Sequence, residues 1–98
     1  MADVVWLEFP SGMDAETYDK INDRINPPGS PPEGLIFHTS APSPDGGWRI
    51  IDVWESRAMF DRFLAEKIGP TIGEVVGESA EGGAPKIVSW PEYKHTIA

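Results

Sequence analysis

The sequence predicts an α+β fold in the order strand, helix, strand, strand, helix, strand, the ferredoxin-like βαββαβ arrangement of a four-stranded antiparallel sheet with both helices on one side. Three observations carry that prediction. Four short runs, Val4–Phe9, Leu35–Ser40, Trp48–Trp54 and Lys86–Trp90, are apolar, with aromatic residues in each, and are bounded by turn residues. Between the first and second runs, and again between the third and fourth, apolar residues recur at the three-and-four spacing of one helical face. The chain has 98 residues and no internal repeat, so residues 1–98 form one domain.

Val4–Phe9 is six residues long, too short for a helix of its own, and Pro10-Ser11-Gly12 ends it. Asp14 is placed as the N-cap of the first helix, with Met13 before it positioned as a hydrophobic staple on Tyr18. Tyr18, Ile21 and Ile25 make its apolar stripe; Glu16, Asp19, Lys20, Asn22 and Asp23 make a solvated face. Pro27-Pro28-Gly29-Ser30-Pro31-Pro32 cannot continue a helix, because proline lacks the amide donor. The Pro27–Glu33 segment is therefore a stiff connection.

Leu35–Ser40 and the Trp48 strand are joined by a loop from Ala41 to Gly47, the right length for an antiparallel hairpin. Ser56 occupies the N-cap position of a second helix from about Arg57 to Lys67, whose Phe60, Phe63 and Leu64 share a face. Gly69-Pro70 stops or kinks it, and Ile72, Val75 and Val76 add one or two further turns. Glu78–Ala84 reads as mobile. Pro91 confines the last strand to a sheet edge or makes it irregular beyond that point.

Composition narrows the function classes. A net charge of −8, with only eight scattered Lys and Arg, argues against nucleic acid and anionic membranes as partners. Without cysteine there is no disulfide framework, thiolate nucleophile or thiolate metal site. No apolar segment approaches the roughly 18 residues of a membrane span, and no secretory leader pattern opens the chain; a cytoplasmic location is the simplest expectation. Four Trp, four Phe and two Tyr are ample for a domain that buries only roughly 65% of its unfolded surface. Such side chains serve cores, pocket walls and subunit interfaces alike.

Residues two apart on a strand share a face of the sheet. With Val5, Leu7, Phe9, Leu35, Phe37, Ile51 and Val53 meeting the helices, the reverse face holds Trp6, Glu8, Ile36, His38, Trp48, Ile50, Asp52 and Trp54. That face is too apolar for open solvent, which points to a second copy packed over it. Its ionisable groups form the candidate site. His38 is the acid/base candidate, Asp52 the group that fixes its tautomer, and Glu8, if desolvated beside Trp6, a carboxyl with a raised pKa. Trp6, Ile36, Trp48, Ile50 and Trp54 are the candidate walls of a substrate pocket. Local pairing of His38 in a pocket wall or subunit seam, with Glu8 and Asp52 bonded to Arg49 or Arg57, is the competing structural explanation.

Asp52-Val53-Trp54-Glu55-Ser56 followed by Phe60 and Phe63 resembles the strand-to-helix signature of the dimeric α+β barrel superfamily, which includes the antibiotic-biosynthesis monooxygenase-like proteins. The resemblance implies a homodimeric α+β barrel with a ligand cavity in each protomer between its sheet and its helices or loops. It also implies activities that range over cofactor-independent oxygenation of polycyclic phenols, haem degradation, isomerisation and polyketide cyclisation. The haem degraders carry an iron-ligating histidine on the helix after Trp54, and Arg57–Lys67 contains none.

His38 and His95 lie in different segments without short ligand spacing, so no metal site is expected. No glycine-rich phosphate loop and no hydrolase nucleophile elbow is present. The resulting expectation is a homodimer without cofactor that binds an apolar or aromatic small molecule, as a monooxygenase or a cyclase/isomerase on a polyketide-like substrate. A non-catalytic ligand-binding protein and a purely structural dimer are the alternatives.

Overall fold

The computed structural model describes residues 2–9, 13–44, 46–76 and 85–98. The order is β1 (Asp3–Phe9), α1 (Ala15–Ile25), β2 (Leu35–Pro42), β3 (Trp48–Trp54), α2 (Arg57–Phe63), α3 (Gly69–Val76) and β4 (Lys86–Pro91), with a π-helical turn at Leu64–Ile68 joining α2 to α3. The strands pair antiparallel, as the sequence predicts, and their order is β2-β3-β1-β4. The stretch from Glu78 to Ala84 and the strand-ending Pro10-Ser11-Gly12 lie outside the described residues.

Local chemistry sets the element ends. Asp14 caps α1 by accepting the Thr17 amide at 2.8 Å, and that bond holds its carboxyl below the ordinary range. Ser56 caps α2 through the Met59 amide at 3.2 Å. Pro70 cannot donate to the preceding turn, and the chain widens just before it: the Gly69 amide donates to the Leu64 carbonyl, five residues back. Helical backbone thus runs without a stop from Arg57 to Val76 through the π-turn. Gly34 enters β2 with φ +91, a conformation L side chains rarely adopt, and a Cβ there would also press on Met59 of α2, so glycine is favoured.

Val5, Leu7 and Phe9 are buried with Trp48, Trp54, Phe60 and Ile68, and Tyr18, Ile25, Phe63 and Ile72 pack around them. Both helical layers therefore cover one face of the sheet. The division of faces holds for β1 and must be corrected for β2 and β3. Directly opposed residues of antiparallel strands share a face, and the register sets Val5 against Asp52, Leu7 against Ile50 and Phe9 against Trp48. Trp48, Ile50, Asp52 and Trp54 thus meet the helices, whereas Ile51 and Val53, opposite Trp6 and Val4, lie on the reverse face.

On β2 a bulge is responsible. Leu35 pairs with Trp54 and faces inward as expected, but an irregularity between Leu35 and Phe37 adds one residue. Phe37 then falls opposite Val53 on the outer face and His38 opposite Asp52 on the inner one. Burial explains why this register wins. Trp54 is fully enclosed, its ring centroid 5.8 Å from Phe60 and 5.3 Å from Phe63, and an indole fills space under the helices that a valine would leave empty.

Candidate active site

The inner face and the helices enclose an apolar cavity whose walls include Leu7, Phe9, Ile21, Ile50, Trp54 and Ile72. Its volume is about 50 Å³. It is a narrow slot. Ile25, Pro32 and Phe63 border both it and a wider hollow of about 500 Å³ that is lined also by Pro27, Ser30 and Glu33 of the stiff connection.

One polar chain crosses the slot's wall. His38 Nδ1 lies 2.6 Å from Asp52 Oδ1, and His38 Nε2 lies 2.5 Å from Tyr18 Oη. The other carboxyl oxygen of Asp52 accepts the Trp54 indole N–H at 3.1 Å. Asp52 is only 5% exposed, and both its oxygens are satisfied, which is what burial of a carboxylate requires. Asp52 as acceptor assigns the proton of neutral His38 to Nδ1 and leaves Nε2 to accept from the phenol. Burial pushes the Tyr18 phenol's pKa up, with partial relief from the Ser40 hydroxyl, so the phenol is a donor at neutral pH. Its ring is fixed against Trp48, centroids 5.1 Å apart.

The expected convergence of three ionisable groups is corrected to two. Glu8 points to the opposite face, where it accepts from Arg49 at 3.0 Å, from Trp6 Nε1 at 2.9 Å and from Ser43 at 2.9 Å. Those bonds, Arg49's foremost, hold its pKa down at about 2, the reverse of the raised value expected of an acid beside Trp6. Trp6 shares that face and is no wall of the slot. Ile36 sits at the bulge, away from the cavity lining. Trp48 supports Tyr18 from behind without lining the slot, while Ile50 and Trp54 line it directly.

Tyr18, Asn22 and Asn26 are polar residues of the slot that escaped sequence reasoning. Tyr18 reads as part of an apolar stripe and Asn22 as part of a solvated face, yet both line the cavity, with Tyr18 Oη 3.5 Å from Asn22 Oδ1. Their four-residue spacing on α1 was the available signal. Among the described residues no three His, Asp or Glu side chains gather as a metal-binding group.

No family model and no curated protein matches the sequence. Solved structures do match its fold over nearly the full length. A cofactor-independent oxygenase from Streptomyces nogalater, SnoaB, in a point-mutant form, superposes with TM-score 0.64 at 14% identity, over 96% of this chain and 95% of that one. The monooxygenase from the gene ActVA-Orf6 of Streptomyces coelicolor, in complex with nanaomycin D, gives TM-score 0.61 at 20% identity over 99% and 92%. A Chloroflexus aurantiacus protein carrying the antibiotic biosynthesis monooxygenase designation gives 0.63 at 16% identity over the whole of both chains. The fold is that of the antibiotic-biosynthesis monooxygenase-like proteins. At these identities the antibiotic-biosynthesis monooxygenase-like likeness speaks for architecture, and the chemistry must be argued from the slot itself.

Proposed function

We propose that this chain is a homodimeric, cofactor-free oxygenase of a flat phenolic, polyketide-like substrate, which enters as the slot widens from its present volume of about 50 Å³, with His38 as the acid/base and Asp52 as the group that orients it. The observation that carries this reading is the Asp52–His38–Tyr18 hydrogen-bond chain set in a largely apolar wall. Two of the fold neighbours are an oxygenase that works without cofactor and a monooxygenase complexed with nanaomycin D, which is the same kind of chemistry.

The reaction asks little of the protein. Removing a proton from an activated methylene of a phenolic ring system leaves an electron-rich anion that reduces dioxygen. Conversion of the methylene to a ketone supplies four electrons; one oxygen atom is retained in the carbonyl and the other leaves as water. No external reductant is required. The protein's share is a base, an oriented apolar slot and exclusion of bulk water.

The second copy belongs to the same reading because of the outer face. Phe37, Val88 and Trp90 are 45%, 44% and 43% exposed there, and Trp6 and Trp90 meet edge to face at 6.5 Å. A contiguous apolar surface of this kind is covered in most soluble proteins. Sedimentation of the wild type as a dimer and of Trp90→Glu as a monomer is the expected result.

The function is tested with dithranol, a tricyclic phenol with an activated methylene, by following oxygen uptake and quinone formation. His38→Ala is expected to lose roughly 10²- to 10⁴-fold in rate while dithranol still quenches tryptophan fluorescence. A loss below tenfold removes His38 as the base. Binding without turnover in the wild type makes the protein a ligand carrier instead.

A further inference from the structure

His38 offers no bare nitrogen to the slot. Nδ1 is held by Asp52 and Nε2 by Tyr18, so a molecule in the cavity reaches the imidazole's proton-accepting atom only across the Tyr18 oxygen. The phenol lines the slot beside His38, and its ring is nearly parallel to the imidazole, 4° between planes. Its other polar neighbours are Asn22 Oδ1, which at 3.5 Å is too far to compete with a 2.5 Å bond to His38, and the Ser40 hydroxyl, whose hydrogen bond favours the ionised phenol. Trp48 behind the ring prevents the phenol from swinging away.

We propose that Tyr18 is the catalytic residue that exchanges the proton with the substrate, and that His38 and Asp52 act through it as proton store and counter-charge. This rests on the oxygenase reading given above and adds the residue that touches the reacting atom. In the step, the substrate's C–H proton passes to Tyr18 Oη as the phenol's own proton passes to His38 Nε2. The electron pair of the C–H bond stays on the substrate carbon. The imidazolium is balanced by Asp52, and the new O–H of Tyr18 points at the substrate anion, where it donates a hydrogen bond as charge builds. Atoms and charge are conserved: one proton has moved from substrate to His38, and Tyr18 ends as it began.

The arrangement has the logic of a nucleophile, histidine and carboxylate triad, with a phenol as the outermost member. A hydroxyl held by a histidine is a better proton acceptor than a free one because its own proton has somewhere to go. The bond also joins α1 to β2, so a role limited to fastening the helix to the sheet must be separated from a chemical one.

Proton abstraction can be read without oxygen. Under anaerobic conditions in heavy water, mass spectrometry follows deuterium uptake at the dithranol methylene. The wild type is expected to accelerate exchange. Tyr18→Phe, which keeps the ring on Trp48 and removes only the oxygen, is expected to lose roughly 10²- to 10⁴-fold in exchange rate with dithranol affinity held within about threefold. Circular dichroism and the melting temperature report whether it folds. Exchange by Tyr18→Phe within tenfold of the wild type, alongside inactivity of His38→Ala, overturns the proposal and makes His38 the direct base. A wild type that leaves dithranol exchange at the solvent rate overturns the oxygenase reading and this step with it, an outcome distinct from an active wild type with an active Tyr18→Phe.

Discussion

Each face of the sheet holds a carboxylate surrounded by hydrogen-bond donors, and the two carboxylates have different surroundings and different consequences. Asp52, on the inner face, is almost fully enclosed and bonded to an imidazole and an indole. Glu8, on the outer face, is partly open to solvent and bonded to a guanidinium, an indole and a hydroxyl. The partner of Asp52 is an imidazole, whose two nitrogens can accept a proton on one side and donate one on the other, and it adjoins a cavity. Arg49 stays charged at any ordinary pH, so the Glu8 cluster is a fixed ion pair with no proton to hand on. A carboxylate beside a tryptophan is therefore not in itself a site; what its other donors can do decides that.

The comparison can be broken most directly by activity. Asp52→Asn is expected to lower turnover of dithranol roughly 10²- to 10⁴-fold, because an amide facing Nδ1 no longer holds the imidazole in the tautomer that accepts from Tyr18. Glu8→Gln is expected to leave turnover within about twofold. Equal losses from both would mean that the outer face takes part in the chemistry.

Stability gives the next contrast. Phe60 is fully buried against Trp54, and truncation to alanine is expected to cost about 3–5 kcal/mol in denaturant unfolding. Val88 is 44% exposed on the outer face, and Val88→Ala is expected to cost under about 1 kcal/mol within the protomer, with any larger effect dependent on protein concentration. A concentration-independent loss at Val88 would contradict an open outer face.

The smallest effect sharpens the electrostatic side. Glu8 titrates at about 2 in the folded protein against an ordinary value of 4.5, so across that window the unfolded chain binds more protons and stability rises with pH. The contribution is complete above about 4.5 and disappears as pH falls through about 2. The melting temperature of the wild type should exceed that of Glu8→Gln above this window and converge on it below, with the gap narrowed by salt.

Element order, the helix N-caps and the antiparallel hairpin were legible in the chain alone, because turn residues, caps and periodicity are local properties, while β2 runs two residues past the Ser40 at which it was expected to end. Asp14, Ser56 and Pro70 act within a few residues of themselves, and each does what its chemistry dictates. His38 and Asp52 were also legible as partners, since adjacent strands of a hairpin bring such residues opposite each other. The side of the sheet on which they meet was not. Strand alternation defines two sets of residues and does not say which one the helices cover, and a single bulged residue at Leu35–Phe37 exchanges the sets along the rest of β2. That choice depends on the summed fit of Trp54, Phe60 and Phe63 in one core. Tyr18 was likewise hidden, because its phenol finds His38 only when α1 is laid across β2. Local sequence could specify the strands and helices; only close packing of the whole chain could decide which face they enclosed.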